Sequence, residues 1–121
     1  MGEKKMDLKK INSEIEKFVS DRDWDQFHSV KNLSMALSVE SSELLEIFQW
    51  LTEEQSNQIK NDPKLMGKVE DEVADVFVYL MRIVNKTNID LEQAVVRKIK
   101  KNAEKYPVEK SRGNAKKYNE L

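Results

Sequence analysis

Four carboxylates fall at a spacing that suits metal chemistry. Glu40 and Glu43 are three residues apart, and so are Glu72 and Asp75. In a helix this spacing places both carboxylates of a pair on adjacent turns, with Cβ atoms about 5 to 6 Å apart, which one or two cations can bridge. Gathered carboxylates repel one another unless a metal ion neutralises them. Oxygen ligands in a chain without cysteine favour Mg²⁺, or alternatively Mn²⁺, over zinc.

The first pair lies where a core is expected. At about 100° per residue, Glu40 falls beside the stripe of Leu33, Leu37 and Leu44, and Glu43 lies on its flank. A buried, unpaired carboxylate costs several kcal/mol, so Glu40 must be protonated, paired with a base or bound to a cation. Glu46 points away from this face, and solvation explains it.

The second pair repeats the pattern. Glu72, Asp75 and Tyr79 share one flank of a helix beside an apolar stripe, and we find no Lys or Arg on these flanks to neutralise them. The alternative is a solvated helix face, which would explain any single pair in a chain with 36% charged residues. A di-iron bundle is excluded because it needs Glu-x-x-His pairs, and the single histidine, His28, lies in none.

Composition sets the framework for these residues. A chain of 121 residues predicts a single domain over 1–121. Only three Gly and two Pro, with many helix formers, predict an all-α protein. The lack of cysteine excludes disulfide frameworks and cysteine nucleophiles. We expect a cytoplasmic protein, because no apolar run is long enough for a membrane span and the N-terminal residues do not look like a secretory signal.

Charge is distributed unevenly although the formal net charge is only −1. Residues 40–75 hold ten Asp and Glu against three Lys, whereas residues 97–117 hold nine Lys and Arg against two Glu. A near-neutral chain has no bulk attraction for nucleic acid, so we expect a cation site in the middle and an anion site towards the C-terminus. Ordinary solvated faces are the alternative.

Hydrophobic periodicity predicts four long helices, and short connections between them imply a four-helix bundle. Thr52 and Gln55 form a capping-box pattern for a short extra helix over about Glu53–Lys60. Residues 22–29 are predicted as a loop packed on the bundle, and residues 106–121 as an extended basic tail. The four long helices are predicted at about Asp7–Val19, Val30–Leu51, Pro63–Val84 and Leu91–Lys105.

Several motifs, taken in order, resemble the all-α nucleoside triphosphate pyrophosphohydrolases of the MazG-like superfamily, and the dCTP pyrophosphatase branch most closely. The resemblance covers the chain from about Arg22 to Leu121. It is carried by the segments Arg22–His28 (RDWDQFH), Asn32-Leu33, Glu40–Trp50 (ESSELLEIFQW), Glu72–Leu80 (EVADVFVYL), Lys105–Val108 (KYPV) and Ser111–Gly113 (SRG).

This resemblance implies hydrolysis of a nucleoside triphosphate, of the dCTP type or a modified one, to a monophosphate and pyrophosphate. The four carboxylates would be the catalytic Mg²⁺ ligands. An aromatic surface would hold the nucleoside, and Lys98, Asn102 and Arg112 would contact the phosphates. The aromatic surface would comprise Trp24, Phe27, His28, Trp50 and Tyr79.

The resemblance also implies a homo-oligomer, and the branch favours a tetramer. Apolar residues outside the main stripe of the third helix, such as Ala74 and Val78, fit a second buried surface. We expect no membrane partner and no stable nucleic-acid partner. Two other hypotheses stay open: a non-catalytic helical interaction module, and a cation- or nucleic-acid-binding protein that uses the basic tail.

Overall fold

The computed structural model describes residues 5–121, which contain helices, turns and loops but no strand. The all-α prediction is therefore confirmed. Residues 1–4, with which the predicted signal-free N-terminus begins, lie outside the described residues. In residues 5–121, no helix combines the length and apolar character needed to span a bilayer.

The chain divides into two compact units, one ending at Thr87 and the other running from Asn88 to Leu121. The single-domain arrangement stays a prediction. In the first unit, two 3₁₀ turns, Asp25–Phe27 and Ile59–Asn61, interrupt the connections between helices. The helices of this unit are α1 (Leu8–Asp21), α2 (Val30–Phe48), α3 (Glu53–Asn57) and α4 (Pro63–Thr87).

Side-chain caps explain where these helices begin. Asp7, Ser29 and Asp62 each accept a hydrogen bond from a backbone N–H in the first turn of the following helix. Thr52 and Gln55 form the predicted capping box. Because this cap starts a new helix, α2 ends at Phe48 rather than at the predicted Leu51.

The core of the first unit is formed where α2 and α1 both pack on α4. Its fully buried apolar side chains come from all three helices. Val73 and Leu80 of α4 are exposed, so part of the apolar surface of α4 faces away from this core. The buried apolar residues are Ile15, Val19, Leu33, Met81 and Val84.

The second unit contains α5 (Leu91–Lys105), capped by Asp90 as predicted. The rest of this unit is not the extended tail that we predicted, because α6 (Val108–Ser111) and a 3₁₀ turn at Tyr118–Glu120 follow. The Tyr118 ring packs edge-on against Tyr106 at a centroid distance of 6.3 Å, and Lys105 Nζ lies 4.9 Å from its centre. These aromatic and cation–π contacts order a segment that has few apolar residues.

Candidate active site

The facing sides of α2 and α4 bring three of the predicted carboxylates together. One oxygen each from Glu40, Glu43 and Glu72 lies within 4.8 Å of the others. We call this set the acidic cluster. All three residues are half-buried, because their helical positions flank the α2–α4 contact. The predicted convergence of the two pairs is therefore present for these three.

Repulsion within the acidic cluster is visible in the pKa of Glu40, which is raised to about 7. The largest cause is the neighbouring carboxyl of Glu72, with which Glu40 can share a proton, followed by burial and then by Glu43. The Oε2 atoms of Glu40 and Glu72 are buried and have no hydrogen-bond partner among the described residues. Buried acceptors without donors are costly, so this arrangement lacks a positive partner.

Asp75, the fourth predicted ligand, lies outside the acidic cluster but close to it. Its charge raises the pKa of both Glu40 and Tyr79. The Tyr79 pKa is raised mainly by burial and then by Glu40 and Asp75. Tyr79 therefore faces the carboxylates, although the resemblance implies a role for it beside the nucleoside.

One expectation about this flank of α4 is wrong. We expected no cation there, but Lys68 lines the same depression as Glu43 and Glu72, and Arg82 lies three residues beyond Tyr79. Lys68 makes no ion pair among the described residues, and Arg82 bonds to other carboxylates. Both are spaced for this flank, because helical residues three or four apart are neighbours. Neither cation relieves the acidic cluster.

The donor chemistry of the acidic cluster fits a hard divalent cation. Three carboxylates within mutual reach, two of them with buried and unpartnered oxygens, offer the oxygen ligands that Mg²⁺ and Mn²⁺ prefer. Histidine is absent from the cluster. The residues present therefore fit a divalent metal ion.

A mostly apolar groove of about 330 Å³ runs between α1 and α4 and has Asp75 in its wall. Phe18 lines the groove and packs edge-on against Trp24, with a centroid distance of 5.5 Å. The predicted aromatic segment thus adjoins a groove that reaches Asp75. The other groove residues are Ile11, Glu14, Ile15 and Val78.

Sequence reasoning missed the contribution of α1 to this site. Phe18 of α1 is 47% exposed and carries the Arg22 guanidinium 3.7 Å from its ring centre. The signal was present in the sequence, because Phe18 precedes the aromatic Arg22–His28 segment by four residues. A residue at a helix end that carries an aromatic ring can belong to two surfaces.

Most of the remaining predicted site residues are exposed. Trp24 and Phe27 are exposed and His28 is half-buried, while Trp50 follows the end of α2 with 87% of its surface exposed. Lys98, Asn102 and Arg112 belong to the second unit, where all three are exposed. In that unit the Ser111 hydroxyl is buried without a hydrogen-bond partner.

Comparison with known proteins adds to this geometry. The sequence model of the MazG-like family matches residues 35–121. The chain is 38% identical to dCTP pyrophosphatase 1 of Mus musculus and 35% identical to that of Homo sapiens, each over 115 residues. These matches cover 95% of this chain and 66% of each relative, so the chain spans a little less than two thirds of their length.

A solved structure also resembles this chain. A pyrophosphatase from Archaeoglobus fulgidus superimposes with a TM-score of 0.77 at 34% sequence identity. The match covers 88% of this chain and 98% of the other.

Proposed function

Because the chain belongs to the MazG-like family, we propose that it hydrolyses nucleoside or deoxynucleoside triphosphates to a monophosphate and pyrophosphate. The observation that supports this proposal best is the acidic cluster, whose two buried oxygens lack any partner. A structural acidic cluster would be paired with a base or solvated. Here no base among the described residues pairs with the two buried oxygens, so a bound cation would relieve them, as in an enzyme that handles polyphosphates.

We propose a dCTP-like, modified or non-canonical deoxynucleoside triphosphate as the substrate class, so that the enzyme removes unwanted nucleotides from the pool. The relatives from mouse and human carry the name dCTP pyrophosphatase 1, and the structural relative is named a pyrophosphatase. The groove between α1 and α4 supports a base-sized ligand, because it is mostly apolar and is bordered by aromatic rings.

In the proposed reaction, the oxygen of water bonds to phosphorus. The P–O bond that joins the α and β phosphates breaks, and pyrophosphate leaves. Glu40, Glu43, Glu72 and Asp75 would hold the metal, and one of these carboxylates accepts the proton of the attacking water. When bound, Mg²⁺ neutralises phosphate charge and acidifies that water. The half-buried position of the acidic cluster strengthens these interactions because little solvent screens them.

Separate residues would bind the two ends of the substrate. Trp24, Phe27, His28, Trp50 and Tyr79 are proposed around the nucleoside, as the family resemblance implies. Lys98, Asn102 and Arg112 are proposed at the phosphates, with their cationic or amide donors supplied by this subunit or by a neighbouring one. Each of these roles predicts a change in KM larger than the change in kcat.

We propose a homotetramer located in the cytoplasm, where nucleoside triphosphates are made and used. The exposed apolar side chains support the assembly, since Leu45 of α2 is 62% exposed and Ile99 of α5 is 63% exposed. Apolar residues of this size at high exposure mark protein interfaces when they cluster. Sedimentation-equilibrium measurements on the full chain test the subunit number.

A screen of nucleoside triphosphates tests the activity. The full chain is incubated with each nucleotide and Mg²⁺, and the nucleotide products are separated by chromatography while pyrophosphate is assayed enzymatically. We expect equal amounts of monophosphate and pyrophosphate, and we expect chelation by EDTA to stop the reaction. Absence of metal-dependent pyrophosphate release for every nucleotide would contradict the proposal. DNA binding that weakens steeply with salt would then favour the nucleic-acid-binding alternative.

A further inference from the structure

The most deeply buried charged side chain of the first unit is Arg82 of α4, which is 2% exposed. Its guanidinium donates to three residues from two other segments. Nη1 donates to both carboxylate oxygens of Glu16 on α1, at 3.0 and 2.7 Å. Nη2 donates to Asp25 Oδ1 at 2.8 Å, and Nε donates to His28 Nδ1 at 3.3 Å. One side chain thus joins α1, α4 and the Asp25–Phe27 turn.

The charges around Arg82 balance. Lys86 Nζ also bonds Asp25 Oδ1, at 3.0 Å, so two cations meet the two carboxylates of Glu16 and Asp25. A buried guanidinium is tolerated only when its charge and donors are matched in this way. The Asp25 pKa is lowered by the hydrogen bonds from Arg82 and Lys86, so the carboxylate stays ionised.

An amide pair extends the network on the α1 side. Asn85 Nδ2 donates to Glu16 and to Asn12, and Asn12 Nδ2 donates back to Asn85 Oδ1 at 3.1 Å. Glu16 is therefore held by both Arg82 and Asn85. This network does not touch the acidic cluster, and Asn12, Glu16, Arg82 and Asn85 have no role in the proposed chemistry.

The hydrogen bond from Arg82 determines where His28 carries its proton. Arginine does not lose its proton in proteins, so Nδ1 of His28 must be the acceptor and the ring proton must sit on Nε2. Burial is the main cause that lowers the His28 pKa, and Arg82 and Lys86 add to it against Asp25 and Glu16. The ring stays neutral and offers one N–H donor. That ring lies 6.4 Å, centroid to centroid, from Trp24.

We propose that Arg82 is a positioning residue that fixes His28 as the Nε2–H tautomer and so makes the Trp24–His28 segment select a base with a hydrogen-bond acceptor on its edge. This inference rests on the proposed function, in which this segment contacts the nucleoside. Trp24 supplies a flat apolar surface, and His28 supplies a single donor of fixed direction. A base with an acceptor at that edge, such as O2 or N3 of cytosine, meets this donor. A base that presents only a donor there is disfavoured, because two donors face each other.

Nitrogen NMR tests the tautomer independently of any activity. Because His28 is the single histidine of the chain, a long-range ¹H–¹⁵N spectrum of the labelled protein contains one imidazole. We expect an unprotonated Nδ1 and a protonated Nε2 between about pH 7 and 8. In Arg82→Lys, which keeps the charge but loses the planar fork, we expect mixed tautomers and a higher His28 pKa. A protonated Nδ1 in the wild type, or an unchanged spectrum in Arg82→Lys, would overturn the proposal.

Kinetics with the best nucleotide from the screen test the consequence for binding. We expect Arg82→Lys to raise KM about tenfold and to change kcat less, while inhibition by inorganic pyrophosphate stays the same. Lys17→Gln is the matched control, because it breaks an exposed ion pair with Asp21 on the same helix as Glu16, and we expect its KM within twofold of wild type. Equal KM values for both variants would contradict a positioning role.

A second pair of variants keeps the test decisive if Arg82→Lys does not fold. Glutamine places its amide near the position of Nε2, whereas asparagine places it near Nδ1. We therefore expect His28→Gln to retain more nucleotide affinity than His28→Asn. The reverse order would overturn the assigned tautomer. If the wild type hydrolyses no nucleotide, the proposed function fails, but the NMR spectra still decide whether Arg82 fixes the His28 proton.

Discussion

Two groups of charged side chains along α4 stand in opposite electrostatic states. The acidic cluster has three carboxylates in mutual reach and two buried oxygens without partners. About three helical turns away along α4, Arg82 and Lys86 are matched by Glu16 and Asp25. The unbalanced group is suited to take up a cation, whereas the balanced group is suited to hold chain segments in place. Charge on a helix flank therefore indicates function only when its partners are counted.

The largest expected effect is on turnover and comes from neutralising one of the proposed metal-binding carboxylates. Glu43→Gln or Asp75→Asn keeps the side-chain volume but loses one anionic ligand, and we expect turnover to fall on the order of 10²-fold or more. Circular dichroism should show an unchanged fold, since repulsion in the metal-free state decreases. Glu70→Gln on the outer face of α4 is the control and should keep its turnover. Wild-type turnover in either ligand variant would remove the metal assignment.

The next effect comes from the balanced group and is one of stability. We expect Arg82→Met to lower the free energy of unfolding by about 1–3 kcal/mol, because Glu16 and Asp25 lose their main partner. Both carboxylates are partly exposed, so water limits the loss. Lys17→Gln, which breaks an ion pair with both side chains exposed, should change stability by less than about 0.5 kcal/mol. Urea denaturation measures both, and equal losses would show that burial of Arg82 contributes nothing.

The aromatic residues extend the comparison to substrate binding. Trp50 is 87% exposed, so Trp50→Ala should leave the unfolding free energy nearly unchanged. Nucleotide binding should weaken by about 1–3 kcal/mol through lost base stacking, while pyrophosphate affinity stays the same. Isothermal titration calorimetry compares the two ligands. Similar losses for both would assign Trp50 to the fold or to an interface.

The smallest expected effect is a pH dependence of the free energy of unfolding, which has opposite signs for Glu40 in the acidic cluster and for Asp25 beside Arg82. The folded-state pKa of Glu40 is raised from 4.5 to about 7, so its contribution to stability is present below pH 4.5 and is lost as the pH rises through about 7. The Asp25 pKa is lowered from 3.8, so its contribution is present above that value and is lost as the pH falls through the folded-state pKa.

Denaturation in EDTA across pH checks both signs. We expect the free energy of unfolding of the metal-free wild type to fall by on the order of 1 kcal/mol between about pH 5 and 8. For scale, a shift of one pKa unit corresponds to about 1.4 kcal/mol. Glu40→Gln should remove this loss, and Mg²⁺ should offset it in the wild type. Asp25→Asn should remove only part of the acid-side loss. A metal-free protein that gains stability from pH 5 to 8 would contradict the raised Glu40 pKa.

The sequence predicted helix caps and the position of Glu40 correctly, because both depend on residues close together in the chain. The caps Thr52 and Asp90 satisfy backbone groups within three residues, so their effect is readable from spacing alone. Glu40 was found for a similar reason, because helical periodicity alone places it beside the core. The motif resemblance added the family, which the comparisons confirm.

The features that sequence missed depend on contacts between distant residues. Arg82 bonds Glu16 and His28, which lie 66 and 54 residues away, and no local period reports such a pairing. A signal existed, since a cation follows Met81 and precedes Ile83 and Val84 in an otherwise apolar run. The folded C-terminal segment was missed for the same reason, as the Tyr106–Tyr118 contact spans twelve residues of polar sequence.

The length of α4 has a consequence for how the proposed activity can evolve. Glu72 and Arg82 lie ten residues apart on one continuous helix, or about 15 Å along its axis. In the proposed function, substitutions at Glu16, Asp25 or Arg82 would therefore alter which base is accepted without moving the carboxylates. New nucleotide preferences can arise in this scaffold, by natural drift or by directed evolution, while the hydrolytic step is inherited intact.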